Sequence, residues 1–355
     1  MRGLAERINY ENYQNLPILE EMIDELPISE KIQEFISKKR QEIESIISGE
    51  DERLLVIVGP CSIHNTSDAF EYAKKLASIS DKYSEDLLIV MRTYFEKPRT
   101  RVGWKGLLIE PDLTDGINVR KGIYEARSFL EKVLNLGLPT ATEFLDSGLF
   151  PYISDLICWG AIGARTTESQ PHRQMASGLP CPIGFKNGTD GNIDIAIDAI
   201  VSSLEPHVLY TSCGKGNPIA ITTSGNKFGH IILRGGKEPN YTEKHVKNAT
   251  KKLKDNNLNS RVIIDCSHGN SGKVAKNQTI VANNVAWQIS NGEDNVSGVM
   301  IESFLVSGKQ CINSNELIKG QSVTDDCLCL DDTLQIIDVL ANAIKNKRYN
   351  LLSVA

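Results

Sequence analysis

The chain has 355 residues, 41% of them hydrophobic and 24% charged, with a formal net charge of −6. That length and apolar share supply a sizeable core and exclude a disordered chain, while the acidic balance argues against a general nucleic-acid partner. The start MRGLAERINYENYQ lacks the apolar stretch of a secretory signal and no apolar run is long enough to span a membrane, so a cytoplasmic protein with reduced thiols is expected.

Residues 1 to about 50 read as an N-terminal extension. Within it, Ile28 to Ile47 is rich in Glu, Lys, Ile and Gln, and Ile32, Phe35, Ile36, Ile43, Ile46 and Ile47 fall near helical spacing, with Gly49 as a stop. A rhythm follows from about 51 to 350. Short β-branched runs at Leu54–Pro60, Leu87–Phe95, Pro139–Phe144, Ile157–Ala164, Pro182–Phe185, Ile231–Leu233, Val262–Cys266 and Val299–Ile301 predict eight strands. Amphipathic stretches at Asp68–Ile79, Ile117–Leu136, Ile193–Ser203, Thr242–Lys254 and Lys276–Asn291 separate most of them. Eight alternating units predict a closed (β/α)8 barrel of the TIM type. One stretch breaks the pattern. Residues 205–226 carry Val208-Leu209-Tyr210 and Ile219-Ala220-Ile221 around a Gly-rich centre, which predicts an inserted β-hairpin.

In such a barrel the active site gathers where the strands end. The residues at those ends are Cys61, Arg92, Glu143, Arg165, Lys186, Arg234, His268 and Glu302. Any one of the cations Arg92, Lys97, Arg99, Arg165, Lys186 and Arg234 could be a solvated surface charge, but together in one mouth they repel unless anions compensate. Phosphates and carboxylates are the obvious anions. Cys61, His268, Glu302 and Asp326 suit a divalent ion such as Mn, Fe, Co or Zn, although a lone Cys after Gly-Pro is more often inert and a lone His could simply cap a helix. The eight cysteines are dispersed with no CxxC pair, which argues against a zinc ribbon. GFKNGTDG (184–191) and LRGGKEPN (233–240) could bring backbone N–H groups to a phosphate, or be tight turns.

The segments VGPCSIHN (58–65), VMRTYFEKPRTRVGWKG (90–106), TEFLD (142–146), WGAIGARTTESQPHR (159–173), HIILRGGKEPNY (230–241), IDCSHGNS (264–271), GVMIESFL (298–305) and SVTDDC (322–327) resemble the type I 3-deoxy-D-arabino-heptulosonate-7-phosphate (DAHP) synthase family. The resemblance runs over residues 50–347 and implies a metal-dependent condensation of phosphoenolpyruvate with erythrose 4-phosphate and water, the first step of the shikimate pathway. It implies metal ligands Cys61, His268, Glu302 and Asp326. Phosphoenolpyruvate would be held by Arg92, Lys97, Glu143, Arg165, Lys186 and Arg234 with the backbone near Gly163 and Ala164. The stretch Lys97, Pro98, Arg99, Thr100 would take erythrose 4-phosphate, and Lys97 or His268 would move protons. It further implies a homodimer or homotetramer built through the N-terminal segment. A phenylalanine/tyrosine-regulated member would carry an effector pocket at Phe144, Asp146, Pro151, Leu179, Pro180, Leu209, Thr211 and Ile221. Pro180 stands where the family often has Ser, and Pro151 and Leu209 are atypical, so inhibitor identity stays open. Two further readings stay in view: another synthase condensing phosphoenolpyruvate with a different sugar, and a non-catalytic regulatory paralogue. The intact KPRT segment argues against the first. Retention of every expected ligand argues against the second.

Overall fold

The computed structural model describes residues 8–9, 13–113, 116–213, 216–314 and 316–354. Parts of the predicted extension (1–7 and 10–12) and the tip of the predicted hairpin (214–215) lie outside that set. Eight parallel strands close into a barrel: β1 (Leu54–Gly59), β2 (Leu87–Arg92), β3 (Thr140–Glu143), β4 (Trp159–Ile162), β5 (Ile183–Lys186), β8 (Gly229–Leu233), β9 (Val262–Asp265) and β10 (Val296–Glu302). The ring closes by β1 pairing with β10, in register from Leu55 opposite Gly298 to Gly59 opposite Glu302. Every residue of these strands is buried. Covered on both faces, they read as continuous apolar runs and not as alternation.

The intervening β6 (Val208–Cys213) and β7 (Asn217–Thr222) form the antiparallel hairpin, with Leu209 opposite Ile221 and Thr211 opposite Ile219. All predicted strands are present; β10 begins at Val296, earlier than expected, with an irregularity between Val296 and Gly298.

The helices that matter for the site are α1 (Leu19–Glu25), α2 (Glu30–Ser48), α3 (Thr66–Ser80), α4 (Val119–Asn135), α5 (Gln170–Gly178), α6 (Asp194–Leu204), α7 (Glu243–Asp255), α8 (Asn277–Ser290) and α9 (Leu330–Val354). In α2 the Ser29 hydroxyl accepts from Ile32 N–H at the start, and Gly49 stops the helix in the left-handed region at φ 87°. Its buried face is Ile32, Ile36, Ile43, Ile46 and Ile47. Arg40 donates to the carbonyls of Ser154 and Ile157, which precede β4. Ile47 O accepts from Asn259, which precedes β9. Both anchors lie at strand starts, so α2 covers the end of the barrel opposite the strand termini. Among the described residues no helix is long and apolar enough to cross a membrane.

Candidate active site

Parallel strands put every strand terminus on one rim. There a cleft of about 300 Å³ is lined by Arg92, Tyr94, Lys97–Val102, Glu143, Ala164, Arg165, Lys186, Thr189, Arg234, His268, Lys273, Thr324 and Asp325. The cations read from the strand ends therefore converge. Arg92 is fully buried; its Nη2 donates to Glu302 Oε1 at 3.1 Å, its guanidinium stacks 3.9 Å from the Tyr94 ring centre, and its Nη1 has no hydrogen-bond partner among the described residues. Arg234 is also buried, and its Nε has none. Buried guanidinium N–H groups left this way cost stability unless a ligand accepts from them. Burial lowers the Arg234 pKa, and Arg165 nearby lowers it further. The cleft is thus primed for anions.

Lys186 donates to Glu143 Oε2 at 2.8 Å, both side chains being buried. Burial alone would raise the Glu143 pKa, but Lys186 and Lys97 overcome it and hold the carboxyl well below the usual carboxylate range. Gly163 sits against this pair: a Cβ there would meet Glu143 Oε1 at 2.5 Å, so a side chain is excluded. Lys97 donates to the Cys61 carbonyl and to Cys61 Sγ, each at 3.2 Å. Burial works against its charge, yet Cys61, Glu302, Glu143 and Asp325 outweigh it and keep the ammonium pKa above the ordinary lysine value. Past Lys97 the loop is turned back by Gly106 at φ 109°, where a Cβ would strike Phe95 O at 2.1 Å. Arg165 Nε donates to Thr100 Oγ1 at 3.2 Å, which ties the Lys97–Thr100 loop to the β4 terminus.

Beside the cations lies a group of ligating atoms. One atom each of Cys61, Glu302 and Asp325 lie within 4.8 Å of one another. His268 Nε2 is 3.9 Å from Glu302 Oε1. Its Nδ1 lies 2.9 Å from Asp265 Oδ2 and 2.6 Å from the Ser267 hydroxyl, and its backbone sits at φ 53°. A ring nitrogen held by a carboxylate while the other faces the donor group is the arrangement metal-binding histidines adopt. Burial and the Glu302 charge push the Cys61 thiol pKa up, with Lys97 opposing; a divalent cation would reverse that preference. A sulfur, a nitrogen and two carboxylates at this range fit one borderline divalent ion.

The structure corrects one expected ligand. Asp326 does not reach this group: its Oδ2 accepts from Ala275 N–H at 2.8 Å. Its neighbour Asp325 does, because Asp325 N–H donates to Cys61 Sγ at 3.4 Å and sets that residue on the cleft side. Sequence reasoning also missed Tyr94, Arg101, Thr189, Lys273 and Thr324. Tyr94 was findable, since it stands two residues beyond Arg92 and alternation returns it to the same face. Lys273 carried no signal, because its place depends on a left-handed backbone at φ 61° after His268.

The eight residues expected to form an effector pocket are only partly brought together. Leu209 of the hairpin packs on the end of α5, where a Cβ on Gly178 would meet Leu209 Cδ1 at 3.0 Å and Thr223 Cγ2 at 2.7 Å. Leu179 and Phe144 are buried, whereas Asp146, Pro180 and Ile221 are exposed. Asp146 Oδ1 accepts from Gly148 N–H and so closes its own turn. Pro180 lines a separate cavity of about 630 Å³ with Ile23, Ile28, Arg40 and Asp155.

The chain is 50% identical over 324 residues to the Trp-sensitive phospho-2-dehydro-3-deoxyheptonate aldolase of Enterobacter agglomerans, covering 91% of this chain and 93% of that protein. It is 48% identical over 322 residues to the Trp-sensitive enzyme of Escherichia coli K12, covering 90% and 92%. These names carry tryptophan where the sequence reading expected a phenylalanine/tyrosine-regulated member. A solved phospho-2-dehydro-3-deoxyheptonate aldolase from Francisella tularensis SCHU S4 superposes with a TM-score of 0.93 at 46% identity, covering 96% of this chain and 99% of that one. The profile of the DAHP synthetase I family matches residues 26–337, and the chain belongs to that family.

Proposed function

We propose that the cleft condenses phosphoenolpyruvate with D-erythrose 4-phosphate and water, giving DAHP and phosphate. The observation that carries this is the meeting of five cations (Arg92, Lys97, Arg165, Lys186 and Arg234) with the Cys61–Glu302–Asp325 group in one cleft. Two polyanionic substrates repel each other, and a preorganised ring of cations offsets that repulsion while fixing their approach. Arg92, with its free Nη1, suits the phosphoenolpyruvate carboxylate; Arg165, Lys186 and Arg234 suit its phosphate. Lys97 to Thr100 suit the phosphate of the aldose. C3 of phosphoenolpyruvate attacks the aldehyde carbon, water adds at C2, and phosphate leaves by C–O cleavage. Cys61, His268, Glu302 and Asp325 would hold a divalent ion (Mn, Fe, Co or Zn), which supplies Lewis-acid polarisation of the aldehyde when bound. Lys97, in contact with Cys61, and His268, held by Asp265, are the groups at hand for the proton that the aldehyde oxygen takes up.

Phosphate release from the two substrates should vanish after dialysis against a chelator and return with added metal. No release by the metal-loaded enzyme would refute the reading, and a preference for arabinose 5-phosphate would move it to another sugar. The effector is best read as tryptophan, supported by the names of relatives at 48–50% identity. The same assay with each aromatic amino acid should show inhibition by tryptophan; inhibition by phenylalanine or tyrosine alone would overturn that. A homodimer or homotetramer built through the N-terminal segment is supported by the exposed apolar side chains Ile8, Leu16 and Ile23. Light scattering on the full chain tests it, and a monomer would refute it.

A further inference from the structure

Glu96 is a buried carboxyl group, 3% exposed, with no ion pair among the described residues, and burial raises its pKa to about 8. Its two oxygens accept from consecutive backbone N–H groups, Oε2 from Leu145 at 3.2 Å and Oε1 from Asp146 at 2.9 Å. Burying a carboxyl group with two backbone amides as its partners costs stability, which these two hydrogen bonds offset only in part. The same Leu145 residue is gripped from the other side. Its carbonyl lies 2.7 Å from His172 Nε2, and His172 Nδ1 lies 2.8 Å from the Ser169 hydroxyl.

The geometry joins three loops of the rim. Glu96 directly precedes Lys97, the start of the loop after β2. Leu145 follows Glu143, the terminus of β3. His172 belongs to α5, which follows Arg165 in the loop after β4. We propose that Glu96 is a positioning residue for the condensation, acting with His172 through the residue 145 peptide groups to hold the Lys97–Thr100 loop against the β3 and β4 termini. The inference rests on the assignment of that loop to the aldose phosphate. Glu143 is fixed independently by its strand and by Lys186. The loop 97–100 has no strand of its own, so it is the part that shifts when the strap is cut.

Glu96→Gln keeps the shape but turns one acceptor into a donor facing an N–H. The expected result is a rise of about tenfold in KM for erythrose 4-phosphate. Phosphoenolpyruvate affinity, titrated without the aldose, should stay within about twofold. Because a substitution at a buried carboxylate can unfold a protein, the half-buried His172 provides the second arm. His172→Leu should raise the same KM several-fold, and His172→Gln, which still donates to Leu145 O, should restore it. The proposal fails if KM for the aldose is unchanged in both Glu96→Gln and His172→Leu. It also fails if both substrates weaken equally alongside a falling Tm, or if His172→Gln does not rescue. Absence of turnover in the wild-type enzyme would instead refute the functional reading itself.

Discussion

Two adjacent aspartates make opposite predictions, which tests the metal group directly. Asp325 offers one of the three atoms that lie within 4.8 Å of one another, whereas the Asp326 carboxylate is occupied by Ala275 N–H. Asp325→Asn removes a charged ligand. Loss of a supporting residue outside the ligand set already costs about 10–100-fold in metal affinity, so loss of a ligand should cost at least about 100-fold. Asp326→Asn keeps an amide oxygen for Ala275 N–H and should cost under about 1 kcal/mol of stability. With metal fixed at about 100 times the wild-type Kd, binding stabilises the native wild type by roughly 2.7 kcal/mol. A variant binding about 100-fold more weakly retains only about 0.4 kcal/mol of that. The difference should appear as a metal-dependent Tm increment smaller by roughly 3 °C in Asp325→Asn, together with lost turnover. Thermal melts of chelator-stripped protein, with and without Mn, give the readout. If Asp326→Asn loses the increment and Asp325→Asn keeps it, the placement of the ligands is wrong.

Other predictions concern the supports of the site. Gly163→Ala should lower kcat/KM for phosphoenolpyruvate by at least about tenfold, because the new Cβ meets Glu143 Oε1 at 2.5 Å; an unimpaired variant would show that the Glu143 position is not critical. His230 is buried and accepts from Trp159 Nε1 through Nε2 while its Nδ1 donates to Phe228 O, a neutral-ring arrangement; burial lowers its pKa to about 4 from 6.5. The unfolded chain therefore takes up a proton that the native state refuses, and stability should fall by on the order of 3 kcal/mol as pH drops from 6.5 to 4. Urea melts at both pH values should show a smaller drop in His230→Gln, and an equal drop would refute the assignment. Cys61→Ala should abolish turnover and metal binding, whereas Cys158→Ala, at a buried site remote from the rim residues, should keep activity; a fully active Cys61→Ala would sink the ligand assignment.

The barrel was legible because its strands are buried on both faces and so stand out as apolar runs between amphipathic helices. Ile32 to Ile47 announced α2 through spacing and Gly49. Three helices were not announced. The α5 stretch QPHRQMASG has only Met175, Ala176 and Ser177 buried, so its periodicity is too weak to register. α1 is a single short helix with Met22 as its buried residue. α9 carries a helical repeat in Ile336, Ile337, Leu340, Ala341 and Ile344, beyond the last strand of the barrel. Asn65 caps α3 by accepting from Ser67 and Asp68 N–H, as an Asp would. Phe304 packs edge-on to the buried, neutral His64.

The site divides along the same line between what a strand fixes and what a loop fixes. Arg92, Glu143, Lys186 and Glu302 each end a strand, so their side chains reach the rim wherever the barrel closes. Sequence position alone located them. Asp325 against Asp326 could not be settled that way, since both lie in an irregular segment after β10. Only the hydrogen bonds of Cys61 Sγ and Ala275 N–H separate them. Glu96 is the sharper case. It stands in a segment whose neighbour Lys97 touches the chemistry, yet its own partners are backbone amides 49 and 50 residues away. Amides carry no side-chain signature, so a residue that acts by gripping them is invisible to any reading of residue types. The cations of this cleft were predictable from chemistry; the groups that aim them become visible only once the chain has folded.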